Sequence, residues 1–288
     1  MSALSDQMRH DFKTNDDIRD AGLTTPKDVV RYDDIAYGTE SPLQALDLYR
    51  PRALAGRTLP VIVSIHGGGW VYGDKERYQY YCMSLAQRGF AVVNFSYRLA
   101  PEYKYPAGIE DTNAVFRWVL DNAATYGLDA GHVFAVGDSA GAHMLAVYSC
   151  ICSNPDYARA YDFAPPAGFV PTAVALNCGA YVMGREREGL MADLLPGRGT
   201  DAEIALISPM PHMTPNFPPA FVMTSNEDFL KPQAALMAAR LAELDVPFQY
   251  RYFGGKGVHL GHVFHCDMRS EQGRQCNDEE CDFFKRFL

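Results

Sequence analysis

Apolar positions along the chain fall into short runs separated by polar punctuation. In "LPVIVSIHGGGW", Pro60–Ile65 is a nearly continuous apolar run of strand length, broken only by Ser64. A central strand buried on both faces has this pattern. "FAVVNFSY" reads as another buried strand, and "HVFAVGD", "TAVALNCG", "PAFVMTS" and "FQYRYF" as further strands. Helical periodicity falls between them: "RYQYYCMSLAQRG", "GIEDTNAVFRWVLDNAATYG", the mostly apolar "AGAHMLAVYSCI", "PQAALMAARLAEL" and the closing "EECDFFKRFL". Val115, Trp118 and Val119 share one stripe of the second. Near-regular alternation of strand and helix predicts βαβ units and a parallel sheet. Upstream, "VRYDDIAYG" and "LQALDLYRP" alternate apolar and polar residues, which predicts antiparallel strands at one edge.

Two segments depart from this rhythm. Residues 1–25 predict a polar, weakly amphipathic helical arm. Residues 181–218 are long, charged and end rich in proline, which predicts a small lid between two strands. No internal repeat appears, so the expectation is a single α/β domain over 1–288 with arm and lid as additions.

Composition narrows the function classes. The 288 residues carry a net charge of -9, which disfavours a nucleic-acid partner and electrostatic docking on an anionic membrane. No run approaches the ~18 apolar residues of a membrane span, and the first twenty residues lack the apolar core of a signal peptide. Seven scattered cysteines suggest free thiols and a cytoplasmic location rather than a disulfide framework. A metal site at His265, Cys266, Cys276 and Cys281 is disfavoured, because no tight Cys-x-x-Cys pair exists there.

The sharpest signal is "VFAVGDSAGAHM". An apolar strand stops at Gly137, and a helix follows Ser139 almost at once. Glycines on both sides remove the Cβ atoms that would clash in so sharp a turn. The following helix aims its N-terminal N–H groups at the serine, the arrangement of a nucleophile elbow. A serine hydroxyl then needs a base and an acid that orients the base, expected downstream in that order.

"HGGGW", His66–Trp70, follows a buried strand, and its glycines let the main chain approach an oxyanion. Gly68 and Gly69 are the first choices as donors, with Ala140 as the third; Gly67 serves the turn and His66 positions the loop. A phosphate-binding loop is the weaker reading, since no Gly-Lys-Ser/Thr follows. At the end of "PAFVMTS", Glu227 and Asp228 are both candidate acids. The loop after "FQYRYF" offers His259, His262 and His265 as candidate bases. Spacing alone separates neither set.

Taken together, "HGGGW", "YRLAPEYKYPAGIED", "GDSAG", "EDFL" and "GHVF" resemble the bacterial hormone-sensitive-lipase-like branch of the α/β-hydrolases, over about residues 59–288. The resemblance implies the α/β-hydrolase fold, with a mostly parallel sheet, an antiparallel edge and helices on both faces. It also implies a serine carboxylesterase working through an acyl-enzyme on short-chain acyl esters, acetyl or feruloyl esters of carbohydrates among them. Asp228 in "DFL" is the family's acid, with Glu227 as runner-up, and His262 in "HVF" is its base. The oxyanion donors map onto Gly68, Gly69 and Ala140. The expected partner is a small-molecule ester, with no metal or cofactor, and a homodimer is compatible. The N-terminal cap is shorter than in many members, and the 181–218 insertion matches no family pattern. Tyr78, Tyr80, Tyr81, Met191, Leu194 and Leu195 are candidate pocket walls, with plain helix packing as the alternative. Rival readings are a kynurenine-formamidase-like amidase and a non-catalytic ligand-binding homologue.

Overall fold

A strand that buries both faces needs a layer of helices on each side, and among the described residues eight strands meet that need in one sheet. The computed structural model describes residues 1–40, 42–184 and 188–288. Its elements run α1 (Ala3–Asp20), β1 (Val29–Ala36), β2 (Ala45–Pro51), β3 (Leu59–Ile65), α2 (Lys75–Gln87), β4 (Ala91–Phe95), α3 (Ala107–Asp121), the single turn α4 (Ala123–Tyr126), β5 (Leu128–Asp138), α5 (Ala140–Ser153) and the short α6 (Pro155–Ala158). They continue with β6 (Val174–Asn177), α7 (Glu188–Leu194), α8 (Asp201–Ile207), β7 (Ala220–Ser225), α9 (Lys231–Glu243), β8 (Phe248–Phe253) and α10 (Glu271–Lys285).

The strand order is β1-β2-β4-β3-β5-β6-β7-β8. β1–β2 and β2–β4 are antiparallel and every other pair is parallel, so the antiparallel edge lies where the alternating patterns placed it. Successive residues of β3 serve opposite layers. Val61, Val63 and Ile65 join α3, α5 and α9 in one core, while Ile62 joins α2 and α10 in the other. Because β3 to β8 run parallel, the loops after β3, β5, β7 and β8 all leave from one end of the sheet. They carry "HGGGW", Ser139, Asp228 and the histidines.

Three details depart from the sequence pattern. β2 alternates apolar and polar residues yet is buried along its whole length. Asp47 faces a buried ion cluster rather than water, with Oδ1 3.0 Å from Lys75 Nζ and Oδ2 accepting from Tyr49 Oη at 2.8 Å, while Arg50 donates to main-chain carbonyls, Gly127 O among them at 3.1 Å. The helix read over 108–127 breaks at Asn122, and Gly127, with φ 62°, turns the chain into β5. The closing helix starts at Glu271, eight residues before the apolar stretch that announced it, with Ser270 Oγ accepting from Gly273 N–H at 3.1 Å. Its first turns bury polar groups, Asn277 among them, whose Nδ2 donates to His265 O at 3.1 Å. Hydropathy cannot flag such a face.

Among the described residues no helix is long and apolar enough to cross a membrane. Residues 185–187 of the lid segment lie outside the described residues.

The Lys75 cluster carries a stability consequence. Lys75 Nζ also contacts Asp34 at 2.8 Å and Glu76 at 2.7 Å, but only Asp47 shares its burial. Removing one partner of a buried pair leaves a charge without compensation. Asp47→Ala lowers the unfolding free energy by about 3 kcal/mol, read from urea denaturation.

Candidate active site

Ser139 sits where β5 ends and α5 begins, at φ 51° and ψ −115°, a conformation that L-residues avoid. The flanking glycines explain how the chain turns there. A Cβ on Gly141 would lie 2.0 Å from Ile65 O, and one on Gly137 would lie 2.6 Å from Gly141 O. The strained residue is tied down by its own N–H, which donates to Asn177 O at 2.9 Å. Its side chain stays partly exposed while Ala140 and nearly all of α5 are buried.

Two carboxylate–imidazole pairs stand side by side after β7 and β8. Asp228 Oδ1 lies 2.7 Å from His262 Nδ1, with the carboxylate fully buried. Glu227 Oε1 lies 2.6 Å from His259 Nδ1, but those side chains are 52% and 70% exposed. The geometry thus divides four of the five candidates into a buried pair and a solvated one. Burial pushes Asp228 up. The bond and charge of His262, the N–H of Leu230 at 2.9 Å and the hydroxyl of Thr224 at 2.7 Å outweigh it and hold the carboxyl below its usual range. With Asp228 accepting at Nδ1, that nitrogen carries the ring proton and Nε2 is left to take one up. His265 is buried and pushed down to about 3 by desolvation, which leaves it neutral.

The glycine loop follows β3. Gly68 (φ 114°), Gly69 (φ 62°) and Trp70 (φ 65°) all lie in the left-handed region. Gly67 N–H donates to Tyr78 Oη at 3.0 Å. Among the described residues, the N–H groups of Gly68, Gly69 and Ala140 have no acceptor in the protein. His66 is buried, donates from Nδ1 to Gly67 O at 2.7 Å and stacks on Tyr97 at 4.0 Å. Burial lowers it to about 4, so it stays uncharged. Trp70 Nε1 donates to His143 Nδ1 at 3.1 Å, and His143 Nε2 donates to Ile207 O at 2.7 Å, joining the loop to α5 and α8.

Ser139 and His262 line one cavity of about 370 Å³, with Gly67, Gly68, Tyr72, Tyr78, Asp138 and Phe229. Phe229 packs on His262 with ring centroids 4.4 Å apart. A larger hollow of about 630 Å³ lies behind Tyr72 and contains none of Ser139, Asp228 or His262, so size does not mark the site. One wall belongs to α1: Phe12, Asn15, Asp16 and Arg19, at helical spacing. Sequence reading missed these four as wall residues; their i, i+3, i+4, i+7 repeat was the only signal. Of the proposed walls, Tyr78 lines this cavity. Met191 lines an adjoining hollow of about 260 Å³ shared with Trp70 and Phe229. Tyr80 hydrogen-bonds Leu23 O at 2.9 Å and Tyr81 hydrogen-bonds Glu280 at 2.8 Å. Leu194 lines only a small recess beside Trp70, and Leu195 is buried in the core. Those four residues follow the packing alternative.

Among the described residues, the one His/Cys/acid group compact enough to share an ion is Cys178, Asp228 and His262, within 4.8 Å of one another. Two of its members are already bonded to each other at 2.7 Å. His265, Cys266, Cys276 and Cys281 form no such group.

An eight-stranded sheet of this order, with a serine at a strained strand–helix turn, defines an α/β-hydrolase. The chain matches an alpha/beta hydrolase fold family over residues 62–265 and belongs to that family, in its hormone-sensitive-lipase-like branch. It is 33% identical over 205 residues to carboxylesterase NlhH of Mycobacterium tuberculosis, covering 65% of this chain and 62% of that protein. The match therefore spans less than two thirds of that relative's length. It is 28% identical over 225 residues to the versiconal hemiacetal acetate esterase of Dothistroma septosporum, covering 72% and 69% of the two chains. The fold superposes on esterase B from Lactobacillus rhamnosis, solved with a C4-C4 SN3 tributyrin phosphonate inhibitor. The TM-score there is 0.88 at 26% identity, over 99% of this chain and 94% of the other.

Asp138, beside Ser139, is buried, and desolvation raises it to about 6 despite a 2.7 Å bond from Tyr78 Oη. A folded value above the unfolded one means that the group's contribution to stability is complete below about pH 4 and is lost as pH rises through about 6. Asp138→Asn removes that penalty. The variant unfolds at a higher temperature than the parent at pH 8, by up to roughly 3 kcal/mol in stability, and the gap closes by about pH 4. Thermal denaturation at the two pH values checks it.

Proposed function

We propose that the protein is a carboxylic ester hydrolase that cleaves short-chain acyl esters through an acyl-enzyme on Ser139. One observation carries the reading: the strained Ser139 and His262, whose Nδ1 is paired with the buried Asp228, line a single cavity beside main-chain N–H groups that have no acceptor among the described residues. His262 Nε2 takes the proton from Ser139 Oγ, which attacks the ester carbonyl carbon. The N–H groups of Gly68, Gly69 and Ala140 hold the resulting oxyanion. The tetrahedral intermediate collapses, and the alcohol leaves with the proton from His262. A water molecule, deprotonated by His262, then attacks the acyl carbon; the bond to Ser139 Oγ breaks, His262 returns the proton to that oxygen and the carboxylic acid leaves. Asp228 fixes the imidazole's tautomer and offsets its positive charge.

A cavity of about 370 Å³ walled by Phe12, Tyr72 and Phe229 suits small acyl groups better than long chains. The likeness to an esterase B inhibited by a tributyrin phosphonate supports butyryl-sized acyls. The likeness to a hemiacetal acetate esterase supports acetyl groups. Feruloyl esters of carbohydrates stay within the reading as larger members of the same class. We read residues 1–25 as a cap arm and 181–218 as a lid. Four side chains of α1 wall the cavity, and Ser2 N–H donates to Asp193 Oδ2 of α7 at 2.7 Å, so the two segments support each other. All seven cysteines are free and six are buried, which supports a reducing, cytoplasmic setting.

Ser139→Ala loses 4-nitrophenyl butyrate hydrolysis by more than about a thousandfold, with an unchanged circular-dichroism spectrum. Near-parental turnover in that variant rejects the assignment. A matched butyryl ester and butyryl anilide separate esterase from amidase; the ester is expected to turn over faster. Covalent labelling by a fluorophosphonate, absent in Ser139→Ala, separates an activated serine from a binding-only homologue.

A further inference from the structure

Two chain segments supply the proposed oxyanion donors. Gly68 and Gly69 follow β3, and Ala140 follows β5. Donors on separate strands can meet one oxygen only if the distance between the strands' ends is held closely. The β3–β5 ladder holds the strands as far as Ile65 and Gly137; beyond it, one side chain links the two loops. Tyr78 Oη, on α2, accepts the Gly67 N–H at 3.0 Å and donates to Asp138 Oδ2 at 2.7 Å. Gly67 directly precedes the first proposed donor, and Asp138 directly precedes Ser139. The three groups are packed without slack: a Cβ on Gly67 would stand 2.7 Å from Asp138 Oδ2 and 2.9 Å from Tyr78 Oη. Burial and the neighbouring Asp138 keep the phenol protonated far above its ordinary range, so it remains a donor. The next aromatic in the loop's support, Tyr97, bonds His66 O at 3.0 Å instead and does not touch Gly67 N–H or Asp138 among the described residues.

We propose that Tyr78 is a positioning residue whose hydroxyl, bridging Gly67 N–H and the Asp138 carboxylate, sets the spacing between the glycine loop and the Ser139–Ala140 elbow. The proposal rests on the esterase reading above. A tyrosine that only walled the cavity would act on substrate binding. A bridge acts on the oxyanion, hence on kcat.

The test uses Tyr78→Phe in the full chain, which keeps the ring and removes the hydroxyl. Turnover of 4-nitrophenyl butyrate is measured with inhibition by an alkyl trifluoromethyl ketone, whose serine adduct carries an oxyanion. The expected result is a kcat lower by roughly 10- to 100-fold with KM within about twofold, and ketone affinity weakened by a similar factor. An unchanged kcat overturns the proposal, as does a raised KM with unchanged ketone affinity. Asp138 gives a second, independent pair of variants should Tyr78→Phe not fold. Asp138→Asn still offers Tyr78 a carbonyl, whereas Asp138→Ala offers none, so the former should exceed the latter in kcat by about tenfold. Equal kcat in the two overturns the bridge. Fluorophosphonate labelling of the parent keeps the two readings apart. No labelling of the parent would sink the esterase reading, while labelling with a Tyr78→Phe enzyme of parental kcat sinks only the bridge.

Discussion

The site depends on how closely α5 can approach the end of β3. Gly141, in the first turn of α5, lies so near the carbonyls of Ile65 and His66 that any side chain would collide with them. That approach sets Ser139 and the first N–H groups of α5 beside the glycine loop, which leaves the same carbonyls. It also forces Ser139 into a backbone conformation that costs on the order of 1–3 kcal/mol. Such strain persists only where the surroundings over-determine it. Here the N–H of Ser139 is held by Asn177 O, and Asn177 Nδ2 in turn donates to the buried Glu280 at 2.6 Å. The elbow is thus braced from β6 and, through it, from the last helix.

Two aspartates near this elbow show how surroundings decide a carboxyl's behaviour. Asp228 is buried but receives donors from Thr224, Leu230 and His262, and it remains ionised. Asp138 lies deeper among protein atoms, has one direct donor, Tyr78, and is raised to about 6. Fewer donors and fuller desolvation together separate Asp138 from Asp228. An ionised Asp138 is costly to the fold, yet it is the group that anchors Tyr78. A stability cost beside a candidate active site is a common compromise.

The cavity wall opposite the sheet comes from the start of the chain. α1 is fastened by polar links rather than by a large apolar face. Arg9 Nε donates to Val71 O at 2.7 Å, Arg77 pairs with Asp17 at 2.5 Å, and Arg19 Nη2 donates to Arg77 O at 2.6 Å. Met8 adds one apolar contact, its Cε standing where a Cβ on Gly69 would go. Substitution of that glycine would therefore disturb the arm as well as the loop.

The sequence by itself determined the eight strands, the antiparallel edge and the elbow. Each is written in neighbouring residues: a period of two, an unbroken apolar run, or two glycines around one serine. Local patterns also narrowed the acid to Glu227 or Asp228 and the base to three histidines. They could go no further, because adjacent carboxylates differ only in which one turns into the core, where Asp228 meets the nearby Thr224 and Leu230 and, from 34 residues on, His262. The buried charges of β2, the early start of α10, the α1 wall and the Gly67–Tyr78–Asp138 bridge were likewise decided only in the tertiary structure. Each depends on polar groups satisfied by partners far along the chain, and hydropathy marks such groups as exposed.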